Sequence, residues 1–128
     1  MQFIHTPHSL ASKGHYSPAV IHDKLVYVSG QLPIDYEAGQ TMPLGGIEEQ
    51  TAQVLKNLHD ILTRCGTSRE QVLRTTVYIP DVAYWPIVNE IYAAFFGDHK
   101  PARTVVPSNA LHYGALIEID AIAVVSLS

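Results

Sequence analysis

The sequence has few charged residues, a single cysteine and no clustered basic side chains. Only 16% of its 128 residues are charged, and the formal net charge is -4. Without a run of Lys or Arg there is no electrostatic basis for binding a phosphate backbone, so nucleic acid is not an expected partner. Cys65 cannot form an intrachain disulfide, and the chain therefore does not require an oxidising compartment.

Long apolar runs are also missing. Residues 1–8 contain no basic stretch followed by a hydrophobic segment, and no later segment has the length and composition of a spanning helix. We therefore expect neither secretion nor membrane insertion, and the cytoplasm is the expected compartment.

What the chain does have is much apolar material for its size. Hydrophobic residues make up 47% of the sequence, and the length is typical of one domain, which we expect to span residues 1–128. Small domains leave a large fraction of their surface in water. A chain this apolar is therefore expected to cover part of that surface by self-association.

Apolar runs rich in β-branched residues predict six strands. Two of these runs are separated by Asp23 and Lys24 alone, a spacing that predicts a tight hairpin even without glycine. The clearest runs are 25–29, 72–79 and 115–125, and the weaker ones are 3–5, 19–22 and 103–106.

Two segments have the spacing of amphipathic helices. The first covers 47–65 and is followed by Gly66, and the second covers about 85–96 and is followed by Gly97. Pro86 is compatible with the second helix because it falls in the first turn. The order of strands and helices predicts an α/β fold, a mixed sheet with both helices on one face.

Alternate residues of the last strand face opposite sides of this sheet, and large apolar residues occupy both sides. The chain has no further helix to cover the second side, so another subunit is expected there. The residues assigned to the helix side are Ile117, Ile119, Ala121 and Ala123, and those assigned to the other side are Leu116, Glu118, Asp120, Ile122 and Val124.

Familiar catalytic and cofactor motifs are missing. There is no Gly-x-Ser-x-Gly elbow, no phosphate-binding loop and no dinucleotide fingerprint. The seven histidines include no pair at helix-face ligand spacing, so no metal site is predicted. Cys65 lies in the apolar stripe of the first helix, which favours an inert core thiol over a nucleophile.

Arg103 and two carboxylates of the last strand are the remaining candidates. Arg103 opens a short apolar run, a position that suits either a surface ion pair or a ligand-binding cation. Glu118 and Asp120 stand about 7 Å apart on one face of a strand and suit either buried hydrogen-bond acceptors or catalysis. The residues alone leave both alternatives open.

Several short blocks follow one another along nearly the whole chain. They are Gly14-His15-Tyr16-Ser17-Pro18-Ala19-Val20, Val28-Ser29-Gly30-Gln31, the helix 50–66, Thr75-Thr76-Val77, Asn89-Glu90-Ile91-Tyr92, Pro101-Ala102-Arg103 and Ile117-Glu118-Ile119-Asp120-Ala121-Ile122-Ala123. Each block is short, but their order and spacing together are specific. In this arrangement the sequence resembles the Rid (YjgF/YER057c/UK114) family.

The resemblance implies a chorismate-mutase-like fold assembled as a homotrimer, with the sheets forming a central barrel and pockets between subunits. It also implies a hydrolase acting on C=N bonds, a 2-iminobutanoate/2-iminopropanoate deaminase that converts intermediates such as 2-aminoacrylate to a 2-keto acid and ammonia. The expected partners are this small substrate and further copies of the chain. Neither a cofactor nor a metal is expected.

By position, the resemblance assigns catalytic roles to three residues. Arg103 corresponds to an arginine that grips the substrate carboxylate, and Glu118 corresponds to an acid that positions or activates water. Tyr16 corresponds to a pocket tyrosine that hydrogen-bonds near the imine. An imine carbon is already electrophilic, so an oriented water and proton transfer would suffice.

Four further residues are expected to bind the substrate. The backbone N–H of Val105 corresponds to a second carboxylate donor, and Trp85 corresponds to an aromatic wall. Gly30 and Asn89 are expected to line or brace the same pocket.

Two stretches depart from the family pattern. His15 and Pro18 replace a Pro and a Gln that are common around the family tyrosine, and residues 107–114 replace a commoner segment containing Leu-Pro-Lys. The second stretch joins the strand of Arg103 to that of Glu118, so we expect it to reshape the mouth of the pocket. His112 and Tyr113 lie in this stretch and are either packing residues of a surface loop or determinants of specificity.

Two other functions compete with the deaminase. The first is a noncatalytic trimeric module that binds a carboxylate metabolite through Arg103 and regulates a partner. The presence of Glu118 favours the enzyme over this module. The second is a ribonuclease, against which the acidic charge balance argues.

Overall fold

In a computed structural model that describes residues 1–125, six strands form one mixed sheet. The strand order is β1-β2-β3-β6-β4-β5, in which β4 and β5 are parallel and the other neighbours are antiparallel. This confirms the predicted mixed sheet. The elements are β1 (Gln2–Ile4), α1 (Pro7–Ala11), β2 (Ala19–His22), β3 (Leu25–Gln31), α2 (Ile47–Arg64), β4 (Val72–Ile79), α3 (Trp85–Phe96), β5 (Ala102–Pro107) and β6 (Glu118–Val124).

The predicted hairpin is confirmed and has an unusual turn. β2 pairs with β3, and the two residues between them, Asp23 and Lys24, have φ angles of 49° and 67°. Two consecutive left-handed residues are typical of the turn that matches the twist of a hairpin, and glycine or asparagine usually occupies it. Aspartate tolerates this conformation, whereas lysine disfavours it, so the pairing of the strands holds Lys24 in a conformation that its side chain disfavours.

α2 ends where its sequence predicts. Gly66 adopts a φ of 75°, its N–H donates to the carbonyl of Thr63 at 3.1 Å, and the N–H of Thr67 donates to the carbonyl of Leu62 at 3.0 Å. This pair of hydrogen bonds satisfies carbonyl groups that a helix end otherwise leaves unpaired.

The structure differs from the predictions most at α1 and at the start of β6, and the other element ends agree to within two residues. α1 was not predicted, because it has five residues and is fixed by a reciprocal capping box between Thr6 and Ser9 rather than by an apolar face. β6 begins at Glu118 rather than at residue 115. Residues 112–114 form a 3-10 turn in which Tyr113 is left-handed, and the N–H of Leu116 donates to Gln50 Oε1 at 2.8 Å.

The core lies between the sheet and the two long helices. α2 contributes Val54, Leu58 and Leu62, and α3 contributes Val88, all fully buried. On the sheet, the residues assigned to the helix side are buried and those assigned to the other side are half-exposed, which confirms the predicted alternation. Cys65 is buried in the same core, and burial raises the pKa of its thiol to about 11.

Within residues 1–125, no helix combines the length and the apolar character needed to cross a bilayer.

Candidate functional site

Arg103 lies on β5, at one edge of the sheet, and faces α3. In the parallel register of β4 and β5 its partner is Thr75, which is fully buried on the helix side. The guanidinium carbon lies 4.4 Å from the ring centre of Trp85 and 4.9 Å from that of Tyr92. One guanidinium nitrogen donates to Asn89 Oδ1 at 3.1 Å. Two aromatic rings and one amide therefore hold the cation.

α3 supplies all three of these contacts because of their spacing. Trp85, Asn89 and Tyr92 are separated by four and three residues, so they lie along one face of the helix. Aromatic rings attract a guanidinium through their electron-rich faces. We call Arg103 and these three residues the arginine group.

Val105 lies two residues beyond Arg103 on the same strand and is partly buried against the core. Among the described residues, β5 has β4 as its sole neighbour in the sheet. A hollow of about 320 Å³ lies beside the arginine group, and Lys100 contributes to its lining. The site is thus open to small molecules along the sheet edge.

Glu118 is the first residue of β6 and lies against Gly30 of β3. A Cβ atom at Gly30 would collide with the Glu118 carboxylate, so the absence of a side chain there makes room for it. Burial is the main cause that raises the pKa of Glu118, and the charge of Asp120 adds to it, whereas His112 acts in the opposite direction. Such a carboxyl group accepts and releases protons closer to neutral pH than an exposed one.

Tyr16 is exposed, and its loop is tied to the strand that carries Gly30. The hydroxyl of Ser29 donates to the carbonyl of Ser17 at 2.6 Å, and the N–H of Ser29 donates to the carbonyl of Pro18 at 2.9 Å. We call Glu118, Gly30 and the Tyr16 loop the glutamate group.

Further aromatic residues lie near Tyr16. Tyr36 packs on His8 with ring centres 4.2 Å apart, and Tyr113 packs on His112 at 4.0 Å. Burial raises the pKa of Tyr36, and the neighbouring Tyr16 and Tyr113 hydroxyls add to the effect. The sequence singled out Tyr113 but not Tyr36, which lies in a loop without periodicity and is brought here by tertiary packing.

A single chain does not bring Arg103 and Glu118 together. Arg103 is level with Thr75, whereas Glu118 is level with Tyr78, three residues further along β4. An odd separation along a strand places side chains on opposite faces, and two strand spacings add about 10 Å of lateral distance. The arginine group therefore lies on the helix side of the sheet and the glutamate group on the other side.

Tyr92 is a site residue that was not predicted. It lies on the core-facing side of α3, and its 5% exposure agrees with a core residue. The spacing of Trp85, Asn89 and Tyr92 indicates that they share one face of a helix. The local pattern does not indicate that Arg103 packs against this face. Within residues 1–125, no three metal-ligating side chains lie close enough to hold an ion.

Comparison with known proteins identifies similar chains. A family model described as endoribonuclease L-PSP matches residues 6–125. The chain is 44% identical over 121 residues to a rat (Rattus norvegicus) protein named 2-iminobutanoate/2-iminopropanoate deaminase, covering 94% of this chain and 88% of the rat protein. It is 42% identical to a RutC family protein of Pyrococcus horikoshii, covering 86% of both chains.

Solved structures agree with this similarity. The Rid family protein YyfA from Yersinia pestis superposes with a TM-score of 0.89 at 38% identity, covering 97% of this chain and 98% of that one. The structure of TdcF from E. coli with bound serine also gives a TM-score of 0.89, at 29% identity, covering 98% of this chain and 100% of that one.

Proposed function

This chain belongs to the Rid (endoribonuclease L-PSP) family, and we propose that it is a deaminase that hydrolyses 2-imino acids. The substrates are reactive enamines and imines of the 2-iminobutanoate/2-iminopropanoate type, and the products are a 2-keto acid and ammonia. The observation that carries this proposal is the Arg103 guanidinium, held in place by Trp85, Tyr92 and Asn89 at the open edge of the sheet. The family description names RNA cleavage, but a net charge of -4 and few basic residues give little attraction for a phosphate backbone.

Arg103 is the carboxylate-binding residue of this proposal. The guanidinium carbon lies over the rings of Trp85 and Tyr92, and one N–H donates to Asn89. A guanidinium has five N–H donors, so others remain for a ligand. A carboxylate matches two parallel N–H donors of a guanidinium in the same plane. The backbone N–H of Val105, on the same strand, is the proposed second anchor.

The complete site requires a second copy of the chain. The arginine group and the glutamate group lie on opposite faces of the sheet, so one chain cannot apply both to one small substrate. We propose a homotrimer of single-domain subunits, residues 1–128, whose sheets form a central barrel. The arginine group of one subunit then meets the glutamate group of its neighbour. The half-exposed apolar residues of the second sheet face support this assembly, because they are otherwise left in water.

The proposed reaction is an addition followed by an elimination. Glu118 orients a water and accepts a proton from it as the water oxygen attacks the imine carbon, and the C=N bond becomes a single bond in a carbinolamine. Glu118 returns this proton to the nitrogen, which becomes an amino group. The hydroxyl proton is then transferred to the same nitrogen as the C–N bond breaks, so ammonia leaves and the carbon–oxygen bond becomes a carbonyl. Tyr16 hydrogen-bonds near the imine nitrogen, and the raised pKa of Glu118 suits a group that both accepts and donates a proton.

The decisive experiment measures keto-acid release from a reactive imine generated in the assay. A serine dehydratase supplies 2-aminoacrylate continuously, and the rate of pyruvate formation is followed with and without the wild-type chain. We expect the wild type to accelerate release, Arg103→Ala to lose about 100-fold in kcat/KM, and Arg103→Lys to recover little, because lysine lacks the planar pair of donors.

Arg64→Ala is the matched control, because Arg64 is an exposed arginine at the end of α2 and its removal is expected to leave activity unchanged. No acceleration by the wild type contradicts the deaminase. A wild type that binds the keto acid through Arg103 without turnover instead identifies the noncatalytic module.

A further inference from the structure

A buried pair of hydroxyl groups, one of which belongs to Tyr92 of the arginine group, joins α3 to β4. The hydroxyl oxygens of Thr75 and Tyr92 are 2.7 Å apart and share a hydrogen bond. Thr75 is fully buried and Tyr92 is 5% exposed, so water does not replace this bond. Each hydroxyl thus satisfies the other in an apolar core.

Both members of the pair also define the position of Arg103. Thr75 is the register partner of Arg103 on β4, so its backbone lies beside that of Arg103. Tyr92 provides a ring 4.9 Å from the guanidinium carbon, so it sets where the charged end of the side chain lies. The hydrogen bond joins these two supports across the interface between the sheet and α3.

Apolar packing alone does not explain these hydroxyl groups. The neighbouring contacts of α3 with the core are made by Val88 and Phe96, which pack without a fixed direction. Valine and phenylalanine have nearly the shapes of Thr75 and Tyr92 and would avoid burying polar atoms. A hydrogen bond, in contrast, has a preferred distance and angle, and it fixes the position of α3 along β4. Burial raises the pKa of Tyr92, although the Thr75 bond and Arg103 oppose that effect, so its hydroxyl stays protonated near neutral pH.

We propose that Thr75 and Tyr92 are positioning residues that hold the Arg103 guanidinium in the orientation required to bind a carboxylate. This inference rests on the proposed role of Arg103 in the proposed function. In this role both residues act on the substrate through Arg103. Their hydrogen bond instead determines the angle at which the guanidinium plane meets the carboxylate.

The test measures binding separately from turnover. The dissociation constant for 2-oxobutanoate, a keto-acid product, is determined by calorimetry for the wild type and for Tyr92→Phe, Thr75→Val and the double variant. KM and kcat are measured in parallel, and thermal unfolding verifies folding. We expect each single variant to raise Kd and KM about fivefold with little change in kcat, because the carboxylate grip is weakened and the water chemistry is not. The double variant is expected to match the single variants, because all three lack the same bond.

Two further variants separate positioning from stability. Thr75→Ser keeps the hydroxyl and is expected to restore wild-type Kd. Thr51→Val removes another buried hydroxyl, which donates to the carbonyl of Ile47 inside α2, and is expected to lower stability without changing Kd. An unchanged Kd in Tyr92→Phe overturns the inference, as does a Thr51→Val effect equal to that of Thr75→Val.

The same data distinguish this inference from the proposed function. If wild type binds 2-oxobutanoate, Arg103→Ala does not, and Tyr92→Phe binds weakly, the positioning role holds even where no imine hydrolysis is detected. If Arg103→Ala binds 2-oxobutanoate as tightly as wild type, Arg103 does not bind the carboxylate, so there is no role for positioning residues and the inference fails.

Discussion

Glu118 carries its charge in surroundings that disfavour it. Burial contributes most to its raised pKa, and the carboxylate of Asp120 on the same sheet face adds repulsion, while His112 partly offsets both. A carboxyl group whose pKa is higher in the folded state than in the unfolded state binds its proton more tightly when folded. Its contribution to stability is therefore present at acidic pH and is lost as the pH rises through the folded-state value.

Replacing this carboxyl group by an amide should stabilise the fold at neutral pH. We expect Glu118→Gln to have a higher Tm than wild type at about pH 7 and the gain to shrink at about pH 4, because a carboxyl group with a raised pKa loses stability as it gives up its proton. The same variant should lose the proposed hydrolysis. Thermal unfolding at the two pH values gives the comparison, and a lower Tm for the variant at pH 7 contradicts this account.

Among the elements, those whose apolar residues recur with a clear helix or strand period were predicted well. The element that is fixed by local capping hydrogen bonds was not predicted. α2 and α3 follow from apolar spacing, and β2 and β3 follow from runs separated by two residues. α1 escaped prediction because five residues with one capping box carry no period. The opposite-face placement of Arg103 and Glu118 could not be predicted, because it depends on how β4 pairs with two distant strands.

The turn between β2 and β3 offers a test of local strain. Lys24 has a φ of 67°, and glycine adopts this conformation without the clash of a Cβ atom. We expect Lys24→Gly to increase the free energy of unfolding by about 1 kcal/mol, after the greater freedom of glycine in the unfolded chain is deducted. Urea denaturation measures the change. Lys24→Ala, which removes the charge but keeps the Cβ atom, should give no such gain, and equal gains in both variants would exclude the conformational explanation.

On the scale of the whole molecule, one face of the sheet is covered by helices and the other is partly exposed to solvent. The helices cover the first face, whereas the second presents half-buried apolar residues and the glutamate group. The proposed trimer uses this second face twice, because it buries the apolar residues and delivers the glutamate group to the arginine group of a neighbour.

Mixing two inactive variants tests this division of the site. Arg103→Ala and Glu118→Gln are co-expressed in equal amounts with the same affinity tag, and all assemblies are purified together, mixed and unmixed. If each site takes its arginine from one subunit and its glutamate from the next, random assembly restores about a quarter of the wild-type activity. As a control, Arg103→Ala co-expressed with the double variant should restore none. Lack of recovery in the first mixture, or a monomer by light scattering, contradicts the shared site.

The burial of Cys65 provides a natural probe of this molecule. With a thiol pKa of about 11, the reactive thiolate is scarce at neutral pH, and the packed end of α2 keeps reagents away from the sulfur. Alkylation must therefore wait until that part of the core opens. The rate at which Cys65 is alkylated therefore reports how often the core around it opens transiently, without any added fluorophore or engineered residue.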